Sequence, residues 1–140
     1  MEYRKFGNKI IVRMDPGEEI MEQLKILCGR EMIYLAEVKA LGALQEFSVG
    51  LFDTEKKQYF GKDYILPVEI TSLWGTVSTQ RGETYLHLHL SAADREGHVY
   101  GGHMNRAVVS ATCEMVIDVL DGRVEREFAP EIGLNLYHFL

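Results

Sequence analysis

Along most of this chain apolar and polar residues alternate, which is the period of a half-buried strand. Lys9 to Met14 (Lys-Ile-Ile-Val-Arg-Met) is short and β-branched and reads as a strand. Asp15-Pro16-Gly17 breaks it. The period then changes. Ile20, Met21, Leu24, Leu27 and Cys28 recur at helical spacing, which predicts a helix over roughly residues 17–30. Asp15 is its expected cap, Pro16 its first residue and Gly29 its expected end. Glu18 and Glu19 near its start, and Lys25 and Arg30 toward its end, complement the helix dipole.

Beyond the helix almost every segment reads as strand. Ile33 to Leu41 ends at Gly42, and Leu44 to Phe52 carries Phe47, Val49 and Leu51 on alternate positions. Asp53 to Lys57 makes a polar hairpin, and Gln58 to Phe60 returns. Tyr64 to Leu66 leads to Pro67, which breaks a strand or marks an edge. Val68 to Ser78 alternates well, and Arg81-Gly82-Glu83 turns the chain. Ala107 to Leu120 has the length of a helix. Its Val108-Val109 pair and the Asp121-Gly122 hairpin signal favour strand, with Arg123 to Phe128 pairing back. A short tail, Leu134 to Leu140, ends the chain. The pattern predicts an α+β fold: one domain over residues 1–140, mainly antiparallel sheet packed with one main helix.

The strictest alternation is Leu86-His87-Leu88-His89-Leu90. On a strand the leucines share one face, and both imidazoles come out on the other. Asp94, Gly97 and the Gly101-Gly102 pair are expected to turn the chain and return His103 over the first two. His87, His89 and His103 would then form a metal site with an open position. Hydrogen bonding to backbone or across subunits is the competing reading of the same three rings. Asp94 is a candidate to orient an imidazole, or else a turn residue bonding its own backbone. Glu69, in an apolar alternating strand, is either a buried acid of the site or an edge residue. Gly101 and Gly102 admit close approach to a ligand or serve a tight turn. Arg106 suits an anionic ligand or an ion pair. Trp74 is expected in the core by default, or else lining a pocket or an interface.

Composition narrows the functional classes. The net charge is −6, and no basic run is longer than the Lys56-Lys57 pair. A domain gripping phosphates would present a basic face, so autonomous nucleic-acid binding is disfavoured. No apolar run approaches the ~18 residues of a membrane helix. Met1 to Lys5 has no apolar core or cleavage site, which points to the cytoplasm. Cys28 and Cys113 lie far apart in apolar patterns and read as buried free thiols. There is no phosphate loop, dinucleotide fingerprint or serine with a base at motif spacing.

The run His-Leu-His-Leu-Ser-Ala-Ala-Asp-x-x-Gly-x-Val-x-Gly-Gly-His-Met, residues 87–104, resembles the PPC (plant and prokaryote conserved) domain family. Gly17-Glu18-Glu19-Ile20, Ala40-Leu41-Gly42-Ala43 and Glu69 to Gly75 resemble that family's helix start, small-residue strand end and central strand. The likeness runs from about Lys5 to Val119. It implies an antiparallel sheet beside one helix, and a homotrimer with the motif residues near the subunit boundaries. By the motif, His87, His89 and His103 take the histidine-cluster positions, Asp94 and Gly101-Gly102 match the turn, and His98 falls on a variable position. Plant members carry DNA contact on an AT-hook, which this chain lacks. The fold is also similar to that of α-acetolactate decarboxylase, a zinc enzyme with three histidine ligands. Three functions follow as expectations. The first is a trimeric binding module for zinc or a small ligand. The second is a DNA-associated regulator, by family analogy. The third is a zinc-dependent lyase or hydrolase, with Glu69 as its best general acid or base.

Overall fold

The computed structural model describes residues 1–139. Strands β1 (Glu2–Phe6) and β2 (Lys9–Met14) form a hairpin, and helix α1 (Ile20–Glu31) follows. Four long strands come next: β3 (Ala36–Asp53), β4 (Gln58–Gln80), β5 (Glu83–Ala93) and β6 (Val99–Val119). Strands β7 (Glu125–Ala129) and β8 (Leu134–His138) finish the described chain, and Leu140 of the expected tail lies outside the described residues. The α+β class with one main helix is what the alternation implied.

The helix begins later than expected, because Glu19 rather than Asp15 caps it. The Glu19 carboxylate accepts from Met21 N at 3.2 Å and Glu22 N at 2.8 Å, and also from Ala107 N of β6 at 2.9 Å. The longer glutamate arm reaches both the open helix turn and the neighbouring strand. Asp15 instead takes Arg13 Nε at 3.1 Å. Gly29 does not end the helix; Met32 does, in the left-handed region at φ 54°. Ile20, Leu24, Leu27 and Cys28 face the sheet and join one core with Leu86, Leu88 and Leu90 of β5 and Val109 and Met115 of β6.

Strands expected as separate pieces are fused. Gly42 does not end β3; it marks a register shift where β3 meets β6 so closely that a Cβ would lie 2.2 Å from the Thr112 carbonyl oxygen. Pro67 does not break β4. It sits where four residues of β4, Ile65 to Val68, lie opposite only three of β3, Glu46 to Leu44, and such a bulge asks no N–H of the proline. Ala107 to Val119 is strand, as its valines indicated. The Asp121-Gly122 hairpin is not formed. At its end β6 already pairs with β2 through Asp118 and with β3 through Val119, so neither edge is free for a returning strand. β7 pairs instead with β8, and touches β4 in parallel at Thr79 and Glu125.

The pairings β3–β4, β4–β5, β5–β6 and β6–β3 close into a circuit. Such closure removes strand edges and fixes every register within it. That circuit, with β7 and β8 laid along one side, positions the histidines.

Candidate metal centre

β5 folds as its alternation demands. Leu86, Leu88 and Leu90 are buried, while His87 and His89 face outward. His87 stands opposite Thr76 of β4, and His89 opposite Trp74. On the other side of β5, His89 pairs with His103 of β6. Directly opposed residues of an antiparallel pair point to the same face, so the third imidazole arrives by register. This corrects the expected glycine-rich return. The turn is Asp94 to His98, and Gly101 and Gly102 lie inside β6, opposite Ser91 and Leu90. Gly102 holds φ at +154°, and a Cβ there would lie 2.5 Å from the Gly50 carbonyl oxygen. Gly50 in turn pairs with His103, so the absence of a side chain at Gly102 seats the third ring.

The three rings converge. Nε2 of His87 and Nε2 of His89 are 3.2 Å apart, and ring centroids are separated by 5.1, 5.1 and 5.6 Å. One nitrogen from each ring lies within 4.8 Å of the other two. Burial, then the nearby charges of His103, Arg126 and His89, pushes His87 down to about 4. Burial and His89 lower His103 in the same direction. Rings that resist protonation offer lone pairs near neutral pH, which is what a metal requires. Tetrahedral zinc with Zn–N bonds near 2.05 Å spaces its ligand nitrogens by about 3.3 Å. The His87–His89 separation fits that spacing. Two cavities, of about 680 and 260 Å3, share His87, His89 and Arg126 in their walls, and His103 lines the larger. The rings therefore face space that a further ligand can enter.

The other candidates lie elsewhere. Glu69 is exposed on β4, opposite Ala43 and Ala93. The Asp94 carboxylate accepts from Glu96 N at 3.0 Å, His98 N at 2.9 Å and the Tyr100 hydroxyl at 3.0 Å, and it meets His98 Nδ1 at 3.2 Å. Burial opposes its ionisation, yet these donors hold it below the usual carboxylate range. It is a turn residue bonded within its own loop. Arg106 pairs with Glu46. Trp74 is not core but 53% exposed; its indole N–H donates to Glu37 at 2.7 Å, and it lines the smaller cavity.

Sequence reasoning missed Arg126. It is buried, and one of its terminal nitrogens lies 3.5 Å from His87 Nδ1. Alternation carried the signal. In Glu125-Arg126-Glu127 the acids face one way, and the arginine faces the sheet.

Comparison with known proteins agrees with this architecture. A Bacteroides thetaiotaomicron protein described as a candidate DNA-binding protein superposes with a TM-score of 0.96 at 30% identity, over 99% of this chain and 96% of that one. A metal-containing protein from Archaeoglobus fulgidus gives 0.88 at 32% identity, over 99% and 97%. Acetolactate decarboxylase from Bacillus subtilis shares the fold at 0.60 and 15% identity, over 83% of this chain and 54% of the enzyme. The bifunctional protein GlmU of Synechococcus sp. (strain JA-3-3Ab) is 28% identical over 132 residues, 91% of this chain. The chain spans about a fifth of that relative's length. Residues 1–121 match the Plants and Prokaryotes Conserved (PCC) domain. With the histidine strand, the closed sheet circuit and the single helix, that match places the chain in the Plants and Prokaryotes Conserved domain family.

Proposed function

We propose that this chain is a binding module that holds a divalent metal of the zinc type on His87, His89 and His103. The observation that carries the reading is the convergence of three imidazole nitrogens within 4.8 Å, two of them at 3.2 Å. The metal-containing relative from Archaeoglobus fulgidus supports it. Zinc with three histidines keeps a fourth position for water or a ligand, and acts there as a Lewis acid. The chain's own part is to fix three neutral rings on a rigid sheet and to wall a cavity beside them. A general acid or base for an enzyme is harder to name, since Glu69 stands exposed on β4. The chain's charge of −6 opposes DNA binding, which the description of the Bacteroides relative keeps in view.

We also propose a homotrimer. Ile11, Val116, Lys39, Trp74 and His89 form one row across β2, β6, β3, β4 and β5. Ile11 and Val116 on that row, and Leu41 two residues beyond Lys39, are exposed. An apolar face of this kind marks an interaction surface. Sedimentation should give about three times the 16.0 kDa chain mass, and Leu41→Asp should dissociate it. A monomer at all concentrations would end the trimer reading. The free, buried thiols of Cys28 and Cys113 suit the reducing cytoplasm.

Metal content decides the main reading. Protein purified without an affinity tag, stripped with chelator and dialysed against zinc should bind one equivalent per chain. His89→Ala should lose most of that uptake. Failure to take up zinc, or uptake unchanged in His89→Ala, would refute the site.

A further inference from the structure

Arg126 is a buried cation that pairs with no anion among the described residues. It is 8% exposed. Its Nε donates to Ser78 Oγ at 2.8 Å, and a terminal nitrogen donates to the Asn135 carbonyl at 2.9 Å. Its guanidinium stacks between Tyr85 and Tyr137, 4.7 and 4.3 Å from the ring centroids. Among the described residues no carboxylate pairs with it. Glu127, next along β7, is engaged with His138. A charge withdrawn from water normally has a counter-ion, and here the described partners, Ser78, Asn135, His87, Tyr85 and Tyr137, carry no negative charge.

The guanidinium still has donors to give. Of its five N–H groups, Ser78, Asn135 and His87 each face one, which leaves two. Arg126 lines both cavities beside the histidines, and no lysine or second arginine lines either. The larger cavity, about 680 Å3, is otherwise walled largely by apolar groups, Leu51, Leu134 and Leu136 among them. One fork-shaped cation in an apolar chamber matches a single carboxylate on an apolar body better than a polyvalent phosphate.

The tautomer of His87 points the same way. Its Nε2 faces the Nε2 of His89. A ring that gives Nε2 to a metal must keep its proton on Nδ1. That N–H would then face the Arg126 N–H at 3.5 Å, donor against donor. An oxygen that accepts from both removes the conflict.

We propose that Arg126 and His87 Nδ1 hold the carboxylate of a small organic acid whose apolar body lies against Leu51, Leu134 and Leu136. The inference rests on the metal reading only through the tautomer of His87. Arg126 belongs to β7, beyond residue 121 where the family match ends, so the cation reaches the site from the final hairpin and not from the motif strand.

Benzoate, its neutral isostere benzamide and inorganic phosphate serve as probes, titrated calorimetrically into the full-length zinc-loaded protein. Benzoate should bind, and benzamide should bind about tenfold more weakly or not at all. R126Q should weaken benzoate about tenfold or more while retaining zinc, and R126K, which keeps charge but loses the fork, should fall between. Should R126Q fail to fold, R126K and the benzoate–benzamide contrast carry the test. The proposal is overturned if R126Q or R126K binds benzoate as the parent does. It is equally overturned if phosphate binds more tightly than benzoate, or if benzoate shows no binding at about 10 mM. If the protein takes up no zinc, the metal reading fails by itself. Benzoate titration of the metal-free protein then decides: Arg126-dependent binding upholds the carboxylate site, and its absence ends it.

Discussion

Gly102→Ala tests whether strand spacing seats the third histidine. An added Cβ would lie 2.5 Å from the Gly50 carbonyl oxygen and 3.1 Å from its nitrogen. Ordinary contact begins near 3.4 Å, so β3 and β6 must part locally by about 0.9 Å. The positive φ adds about 1–3 kcal/mol of strain for alanine. Together these predict a loss of about 2–4 kcal/mol in stability. The damage is aimed at the site, because Gly50 pairs with the adjacent His103. Zinc ligands tolerate displacements of about 0.2 Å, so a strand shift several times larger removes the third imidazole. Zinc affinity should then fall about 100-fold. Urea titration reads the stability, and competition with a chromophoric chelator reads the affinity. Gly97→Ala is the control. Gly97 also has positive φ, +82°, but no atom lies within 4 Å of the added carbon. It should cost about 1 kcal/mol and leave zinc binding intact. Parental zinc affinity in Gly102→Ala, or an equal loss in Gly97→Ala, refutes the reasoning.

Glu19→Ala should destabilise the fold by about 2–4 kcal/mol in urea, since it orphans two helix N–H groups and the buried Ala107 N–H at once. Glu19→Gln, which keeps an acceptor, should cost less than half as much, and equal losses would discount the bridge. Burial pushes the thiols of Cys28 and Cys113 up to about 12 from 9.0, so Ellman's reagent should label neither in the native protein and both in urea. The sign of the linked pH effect follows. Above pH 9 the unfolded chain releases thiol protons that the folded one retains, so stability present below pH 9 should fall between pH 9 and 12. A Cys28→Ala, Cys113→Ala variant should lose that part of the slope, and an unchanged slope would assign it to other groups.

What was legible in the sequence is what local period controls. The Leu-His-Leu-His-Leu alternation placed two imidazoles on one face, and the apolar spacing from Ile20 to Cys28 gave the helix its buried stripe. Punctuation misled. Gly42 and Pro67 look like strand ends because each is unfavourable inside a regular ladder, and here each sits at a bulge, where the ladder is irregular. Asp121-Gly122 has the chemistry of a hairpin turn, but that chemistry cannot supply an edge, and β2 and β3 hold both edges of β6. In each case tertiary pairing overrode a local signal: a bulge absorbed Gly42 and Pro67, and occupied edges denied Asp121-Gly122 its hairpin.

The same distinction separates the two halves of the site. The histidine trio is nearly local, since one register pair, His89 with His103, completes what a single strand begins. Arg126 is not. The alternation in Arg-Val-Glu-Arg-Glu-Phe turns the second arginine toward a sheet, but it does not say that residue 87 will lie beside it; that depends on β7 abandoning β6 for β8. A metal trio set by the motif strand and a cation brought in by a terminal hairpin are thus separable in sequence while adjacent in space. Changes confined to residues 122–139 could therefore alter what is bound beside the histidines without moving the histidines themselves. Exchanging Asn135, whose carbonyl holds Arg126, for proline tests this directly. Proline there removes the N–H of a β8 residue opposite Phe128 and should loosen the hairpin, lowering benzoate affinity while zinc stoichiometry stays unchanged.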